Sequence, residues 1–364
     1  MKKSLLRTLC MALFVLLAGM PVRAAHSSGD GSVDVEEIVL GHMADAYEWH
    51  ITTWEGKHIS IPLPIIVRSE RTGEWSMFSS AEMVEALHHG ATDYKGFYFN
   101  EERNGKIYER LADGISVRPW DLSFTKSVAQ IWIVVLVLLV VFLSCAHWYR
   151  KHDVRKESPR GFVCLMEMLV MTIHDDLIKD SIGEKHYRPY APYLLTVFFF
   201  IFVTNLLGLL PVFPGGANVT GNINITFFLA LCTMLAINLF GNKEYWKEIF
   251  WPDVPIFLKA YPLPIMPIIE LFGIITKPFA LMVRLFANMM AGHAIILSFA
   301  SIIFITWQVN AYIGSGLTVM SFVMMLFMNC LEVLVAFVQA YVFTMLSAVF
   351  IGLAHPEHES HHKA

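Results

Sequence analysis

From Pro189 to Asn242 the chain runs for fifty-four residues without a single Asp, Glu, Lys or Arg. No water-exposed surface is built from such a run, whereas a bilayer core about 30 Å thick takes roughly 20 apolar residues of helix per crossing. Turn-rich Pro211-Val212-Phe213-Pro214-Gly215-Gly216-Ala217-Asn218 divides the run into two crossings with an uncharged loop between them. Over all 364 residues, 55 % are hydrophobic and only 16 % are charged, too apolar for an ordinary soluble domain. The fold class expected is an all-α polytopic membrane protein. The net charge of −4 decides nothing, because the placement of the charges matters more than their sum.

The other crossings follow by the same reasoning. Ser127 to Tyr149 lacks charge, and Arg150, Lys151, Arg155, Lys156 and Arg160 come directly after it, a basic cluster that belongs on the cytoplasmic side. Residues 161–180 mix apolar positions with Glu167, Asp175, Asp176, Lys179 and Asp180, which predicts an amphipathic surface helix rather than a span. Lys243, Glu244, Lys247 and Glu248 return the chain to the cytoplasmic surface, and a connector punctuated by Pro252, Pro255, Pro262, Pro264 and Pro267 leads to the fourth span. A fifth runs from about Leu317 to Gly352 and carries Glu332 and Gln339 on one face, seven residues apart. The total is about five transmembrane helices.

Ahead of the first span lie two regions of different character. Residues 1–25 read as a signal peptide: Lys2, Lys3 and Arg7, then apolar Leu9 to Leu17, then Val22-Arg23-Ala24 as the cleavage site. An uncleaved first helix is the alternative. Residues 26–120 are polar and mixed, with hairpins expected at Thr72-Gly73 and Asn104-Gly105, and read as a small extracytoplasmic β-containing domain. His58 to Pro64 alternates, but its prolines confine it to an edge. His42, His50, His58 and His88-His89 show no ligand spacing, and the five cysteines form no framework, so no metal site and no disulfide is expected. His355 to Ala364 is read as a solvated cytoplasmic tail, 356–364, beyond a transmembrane domain of residues 121–355.

The chemistry concentrates in the fourth and fifth spans. Arg284 sits in the apolar run Leu281 to His293, where a guanidinium costs about 2.5–3.5 kcal/mol on insertion scales. Ala287, Asn288, Ala291 and Gly292 follow it at helical spacing, a small-residue stripe that lets another helix approach. With the two spans antiparallel and Arg284 level with Gln339, His293 lies about 13.5 Å and Glu332 about 10.5 Å toward the outside. Glu332 and His293 then fall within one turn of each other, and Glu270 lies nearly four turns on the cytoplasmic side. Protonatable groups thus flank a fixed positive charge on both sides, as two water-filled half-paths meeting a barrier would require. An intrachain Arg284–Glu332 ion pair is the structural alternative. Spacing and charge alone define an ion-conducting membrane subunit with an interface around Arg284.

Arg284-Leu285-Phe286-Ala287-Asn288-Met289-Met290-Ala291-Gly292, then Gln339-Ala340-Tyr341-Val342-Phe343, and before both Val203-Thr204-Asn205-Leu206-Leu207-Gly208-Leu209-Leu210-Pro211, resemble subunit a of the F-type ATP synthase membrane sector. The resemblance covers about residues 127–355. It implies that Arg284 is the stator charge, that Gln339 and Asn288 match the family's glutamine and asparagine, and that Glu270 is its cytoplasmic-side acid. The acid and imidazole at Glu332 and His293 are exchanged relative to a common bacterial pattern, as in the mitochondrial one, and Gly208 stands where some members have an aspartate. The partners implied are the rotor-ring subunit c oligomer, the peripheral-stalk subunit b, other synthase subunits and the lipid bilayer of a bacterial inner membrane. No cofactor and no nucleic acid is expected. With no Gly-x-x-x-x-Gly-Lys-Ser/Thr run, nucleotide chemistry belongs to other subunits, and the chain is not an enzyme on its own. A secondary transporter would show internal repeats, and none is found. The choice between proton and sodium ion is left to the ring subunit.

Overall fold

The structure, a computed structural model, describes residues 45–54, 57–100, 105–111, 115–153, 157–210, 215–251, 265–309 and 311–355. The signal-peptide segment, the turn 211–214, the proline connector 252–264 and the tail 356–364 lie outside these residues. The described chain forms two compact units that divide between Phe124 and Thr125.

The first unit is built from short antiparallel strands and one helix. Strands β1 (Glu48–Trp54) and β2 (Lys57–Pro62) pair with each other alone. β3 (Pro64–Arg68) is the centre of a second sheet, with β4 (Trp75–Ser79) on one side and β8 (Trp120–Asp121) on the other. Helix α1 (Ser80–His88) begins where the Ser79 hydroxyl accepts from the Ala81 N–H. β5 (Phe97–Asn100), β6 (Lys106–Arg110) and β7 (Ser116–Val117) complete a third sheet. Both hairpins expected from the sequence form, β3–β4 across Gly73 and β5–β6 across Gly105, each glycine at positive φ.

Alternation decides which face is covered. Ile65, Val67 and Phe78 point inward with Met83, Phe97 and Ile107 to make a small core. Beside it a buried carboxylate pins the β3–β4 turn: Glu109 of β6 accepts from the Ser69 hydroxyl at 2.5 Å and from the Glu70 N–H at 2.7 Å. The Tyr47 hydroxyl donates to Asp121, and burial, reinforced by that hydrogen bond, pushes the phenol well above its ordinary pKa.

The second unit is helical. Its elements are α2 (Lys126–Lys151), α3 (Phe162–Met171), α4 (Tyr187–Gly208), α5 (Ile223–Phe240), α6 (Lys243–Phe250), α7 (Ile265–Val309) and α8 (Ala311–Leu353). Among the described residues, α2, α4, α5, α7 and α8 are long and apolar enough to cross a membrane. Thr125 caps α2 through its side chain, and Arg150 and Lys151 close its last turn, where cations suit the negative end of the helix dipole. α3 runs on through a π-helical stretch, Thr172–Lys179, whose Ile173, Leu177 and Ile178 are buried, so one face of this segment packs inward and Phe162, Leu165 and Met168 remain exposed.

One feature of α8 organises the packing. Ala336, Ala340, Thr344 and Ala348, each four residues apart, are fully buried, and the ladder ends at Gly352 against the Ser181 carbonyl. Small side chains at helical spacing let helices approach closely where hydrocarbon offers no hydrophobic drive. Large residues fill the spaces beside the ladder: Leu194, Phe198 and Ile201 from α4, Leu281 and Leu285 from α7, and Phe343 from α8. The end of α8 differs from the expected solvated tail at one residue. His355 is buried, its Nδ1 2.9 Å from the Ile351 carbonyl and its Nε2 3.2 Å from the Tyr190 hydroxyl. It lies two residues beyond α8, in the turn at Ala354 whose carbonyl accepts from the Asn242 N–H at 3.0 Å, so its ring packs rather than dissolves.

Replacing Glu109 by Ala should leave the Ser69 hydroxyl and Glu70 N–H without their charged acceptor and cost the first unit about 2 kcal/mol. Native-state hydrogen exchange of the full chain is expected to show roughly 30-fold faster opening at β3–β4, with the helical unit unchanged.

Candidate functional site

Arg284 lies on α7 at an exposed position, and Ala287, Asn288 and Ala291 extend the same exposed strip. Among the described residues Arg284 makes no ion pair and no hydrogen bond. The Arg284–Glu332 pair left open by the sequence does not form. Next to the strip the helix turns inward: Leu281, Leu285 and Met289 are buried against the rest of the bundle. The side chains of Leu331, Leu334 and Val338 on α8 are exposed as well. The guanidinium thus stands on a chain surface bordered by small and apolar groups.

Gly292 departs from the strip. It is buried, and a Cβ placed there would overlap the Glu332 carboxylate. The two helices therefore meet at this point with the backbone of α7 directly against the acid. Glu332 is 3 % exposed, and its Oε1 is buried without a hydrogen-bond partner. Gln339 is buried further along α8.

His293, one residue on, turns to α4. Its Nδ1 sits 3.1 Å from the Met289 carbonyl. In the neutral ring that contact holds the proton on Nδ1 and leaves the Nε2 lone pair free. Nε2 is buried without a partner at hydrogen-bond geometry and faces Gly208, where an added Cβ would come within 3.6 Å of it. The absent side chain at Gly208 makes room for the imidazole. His293 and Glu332 are thus attached to neighbouring backbone positions at one level, but among the described residues no ion pair joins them. The imidazole meets α4 and the carboxylate meets α7.

Other buried polar groups surround this point. Asn205 of α4 accepts through Oδ1 from the Thr220 hydroxyl at 2.7 Å, leaving Nδ2 unpartnered. Gln130 of α2, fully buried, accepts from the Ala217 N–H at 2.8 Å and leaves its Nε2 unpartnered. The Ala217 carbonyl in turn lies against Gly208. Gln130 escaped the sequence reading, although a lone amide in an apolar helix was a usable signal. Its importance depends on which loop it meets, and spacing does not specify that.

Toward the other end of α7, Glu270 is half-buried and flanks Gly273 together with Lys277. Tyr245 of α6 is nearby: burial, and after it the Glu270 charge, raises its phenol pKa. Lys277 places Nζ 5.8 Å above the ring of Phe350, a cation–π contact that holds it toward α8. Glu270 and the His293–Glu332 level therefore belong to separate polar clusters, with Arg284 between Glu270 and His293 along α7.

Five apolar helices, an arginine on an exposed helix face with no partner among the described residues, and two separated polar clusters with one carboxylate each fit a membrane-embedded ion-translocating subunit. The comparisons name it more closely. The model of the ATP synthase A chain family matches residues 128–352, and a domain of unknown function matches residues 38–122. An ATP synthase subunit a of Chlorobium phaeobacteroides (strain DSM 266) is 44 % identical over 68 % of this chain and 70 % of its own length. An ATP synthase subunit a 2 of Chlorobaculum tepidum is 36 % identical over 99 % of this chain and 95 % of its own. One from Chloroherpeton thalassium is 39 % identical over 77 % and 79 %. The chain belongs to the ATP synthase A chain family, the stator proton-channel subunit of the synthase, which is a multi-pass membrane protein and no enzyme on its own.

Gly292→Ala should force Glu332 aside or part α7 from α8, with proton translocation by the assembled synthase falling at least tenfold. Overpacking of this kind costs about 1–3 kcal/mol. Adding Glu332→Ala to it is expected to restore subunit yield in the membrane but not translocation.

Proposed function

We propose that Arg284 is the fixed stator charge that faces a carboxylate of the rotor-ring subunit c, with separate proton paths reaching it from the two sides of the membrane. The observation that carries this reading is a guanidinium on an exposed face of a membrane helix with no counter-charge among the described residues of its own chain. An arginine at that depth costs about 2.5–3.5 kcal/mol, so its compensation has to come from a partner or from water. The small side chains of Ala287, Asn288 and Ala291 leave room for a ring helix to come close.

The outer path is assigned to Glu332, His293 and Asn205, with Gln130 holding the loop at Ala217. Buried polar atoms without protein partners are tolerated at membrane depth where they line an aqueous cavity, and Gln130 of α2, Asn205 of α4, His293 of α7 and Glu332 of α8 each carry such an atom. His293 accepts a proton at Nε2 because Nδ1 is held to Met289. The inner path is assigned to the level of Glu270. Between them Arg284 attracts the deprotonated ring carboxylate and blocks a protonated shortcut, with Gln339 and Asn288 supporting it from the positions that the family motifs occupy. Each proton driven through the potential delivers about 2.3 kcal/mol per 100 mV, and the ring accumulates those steps.

The orientation proposed rests on charge: the basic end of α2 at Arg150 and Lys151 suits the cytoplasmic side. With it go an outside first unit, an inside tail 356–364 and, from the basic and apolar pattern of residues 1–25, a signal peptide. A bacterial inner membrane, with subunit b on the cytoplasmic face, fits this arrangement.

Arg284→Ala tests the reading in the whole synthase in sealed vesicles, following ATP-driven acidification with assembly checked by subunit content. The expected result is an assembled complex with pumping abolished. Normal pumping would overturn the stator assignment. Separately, His293→Ala should slow translocation at neutral pH by about 100-fold or more, the usual size of a lost general acid–base group, with assembly intact.

A further inference from the structure

The covered face of the β4–β3–β8 sheet is accounted for by its core; the opposite face is not. In an antiparallel sheet, residues directly opposite share a side. Trp75, Arg68 and Trp120 form one row across the three strands. Met77 and Ile66 form the next, joined by Leu122, whose N–H bonds the Ile66 carbonyl at 2.9 Å. Trp75 is 54 %, Trp120 66 %, Met77 69 % and Leu122 63 % exposed. Two indoles, a methionine and a leucine side by side on open sheet surface exceed the scattered apolar residues that a soluble face carries.

The chain itself says what lies next to this face. The ladder does not stop at β8: the Phe124 N–H still bonds the Pro64 carbonyl at 3.0 Å. The following residue, Thr125, is the N-cap of α2, the first membrane helix. No linker separates the sheet from the start of the span. Trp120 to Phe124 in extended form covers about 13 Å, against headgroup layers of roughly 5–7 Å on each side of the hydrocarbon. Laid along the surface, a strand tethered there keeps Trp120 within the headgroup layer; standing upright, it would carry Trp120 past it. The side chains match that place: Trp favours the membrane–water boundary, and Arg68 keeps its guanidinium in the headgroups while its stem lies on apolar surface.

We propose that this face of the first unit lies flat on the lipid headgroup layer of the bilayer that α2 enters, with Trp75, Met77, Trp120 and Leu122 inserted and Arg68 meeting lipid phosphates. This rests only on α2 being a membrane span and is independent of the role of Arg284. It gives the first unit a membrane-seating function at the outset of the transmembrane helices.

The test uses the full chain within the synthase, reconstituted in phosphatidylcholine–phosphatidylglycerol vesicles. A polarity-sensitive fluorophore is attached at Met77→Cys in a cysteine-free background, with Glu85→Cys on α1 as the exposed control. Nitroxide lipids labelled at the headgroup should quench the label at 77 at least threefold more than the label at 85, with blue-shifted emission. Equal, water-like emission at both positions would overturn the proposal. So would a blue shift at 77 without lipid quenching, the result expected if a protein subunit or a second copy covers the face. Trp75→Cys, on the same strand two residues from 77, supplies an independent reading should Met77→Cys fail to fold, and the same outcomes decide it.

Discussion

Hydrocarbon offers a charged or polar group no water, and every feature of the helical unit follows from how that cost is met or left standing. Main-chain groups are satisfied inside helices, which is why five apolar segments read so plainly as helices. Side chains are the harder case. Among the described residues of its own chain Arg284 has no partner, while its neighbours Leu281, Leu285 and Met289 are buried, so the helix is set in rotation with the guanidinium outward. A stator needs that condition: a charge internally neutralised could not attract a passing carboxylate.

The close meeting of α7 and α8 at Gly292 and Glu332 serves the same end. A glycine there brings an acid against backbone rather than beside a cation. The carboxylate is kept from Arg284 by packing, not by distance along the chain alone. His293 is turned to the opposite neighbour by its own carbonyl contact and by the missing side chain at Gly208. Acid, imidazole and guanidinium therefore remain three separate groups among the described residues, as the proposed proton path requires.

The first unit obeys the physics of water. Its core is small, and buried polar devices such as Glu109 on the β3–β4 turn do much of the local ordering. The same domain carries apolar groups on its outer sheet face, and that face belongs to the ladder which ends where the membrane helix begins.

Element by element, the amino-acid order determined the spans, because charge-free runs of twenty residues have one stable home, and it determined the two hairpins, because Thr72-Gly73 and Asn104-Gly105 punctuate alternating strands. It also singled out Arg284, since a charge in an apolar run announces its own cost. Tertiary structure alone decided that Gly292 seats Glu332 instead of joining the strip beside Arg284, that His293 faces Gly208, that Gln130 holds the loop at Ala217, and that His355 is packed against Tyr190 just beyond α8. The physical reason is range. Periodicity reports which side of a helix a residue occupies, while its partner depends on the rotation and depth of a second helix, set by the small-residue ladder Ala336, Ala340, Thr344 and Ala348 and by the large side chains packed around it.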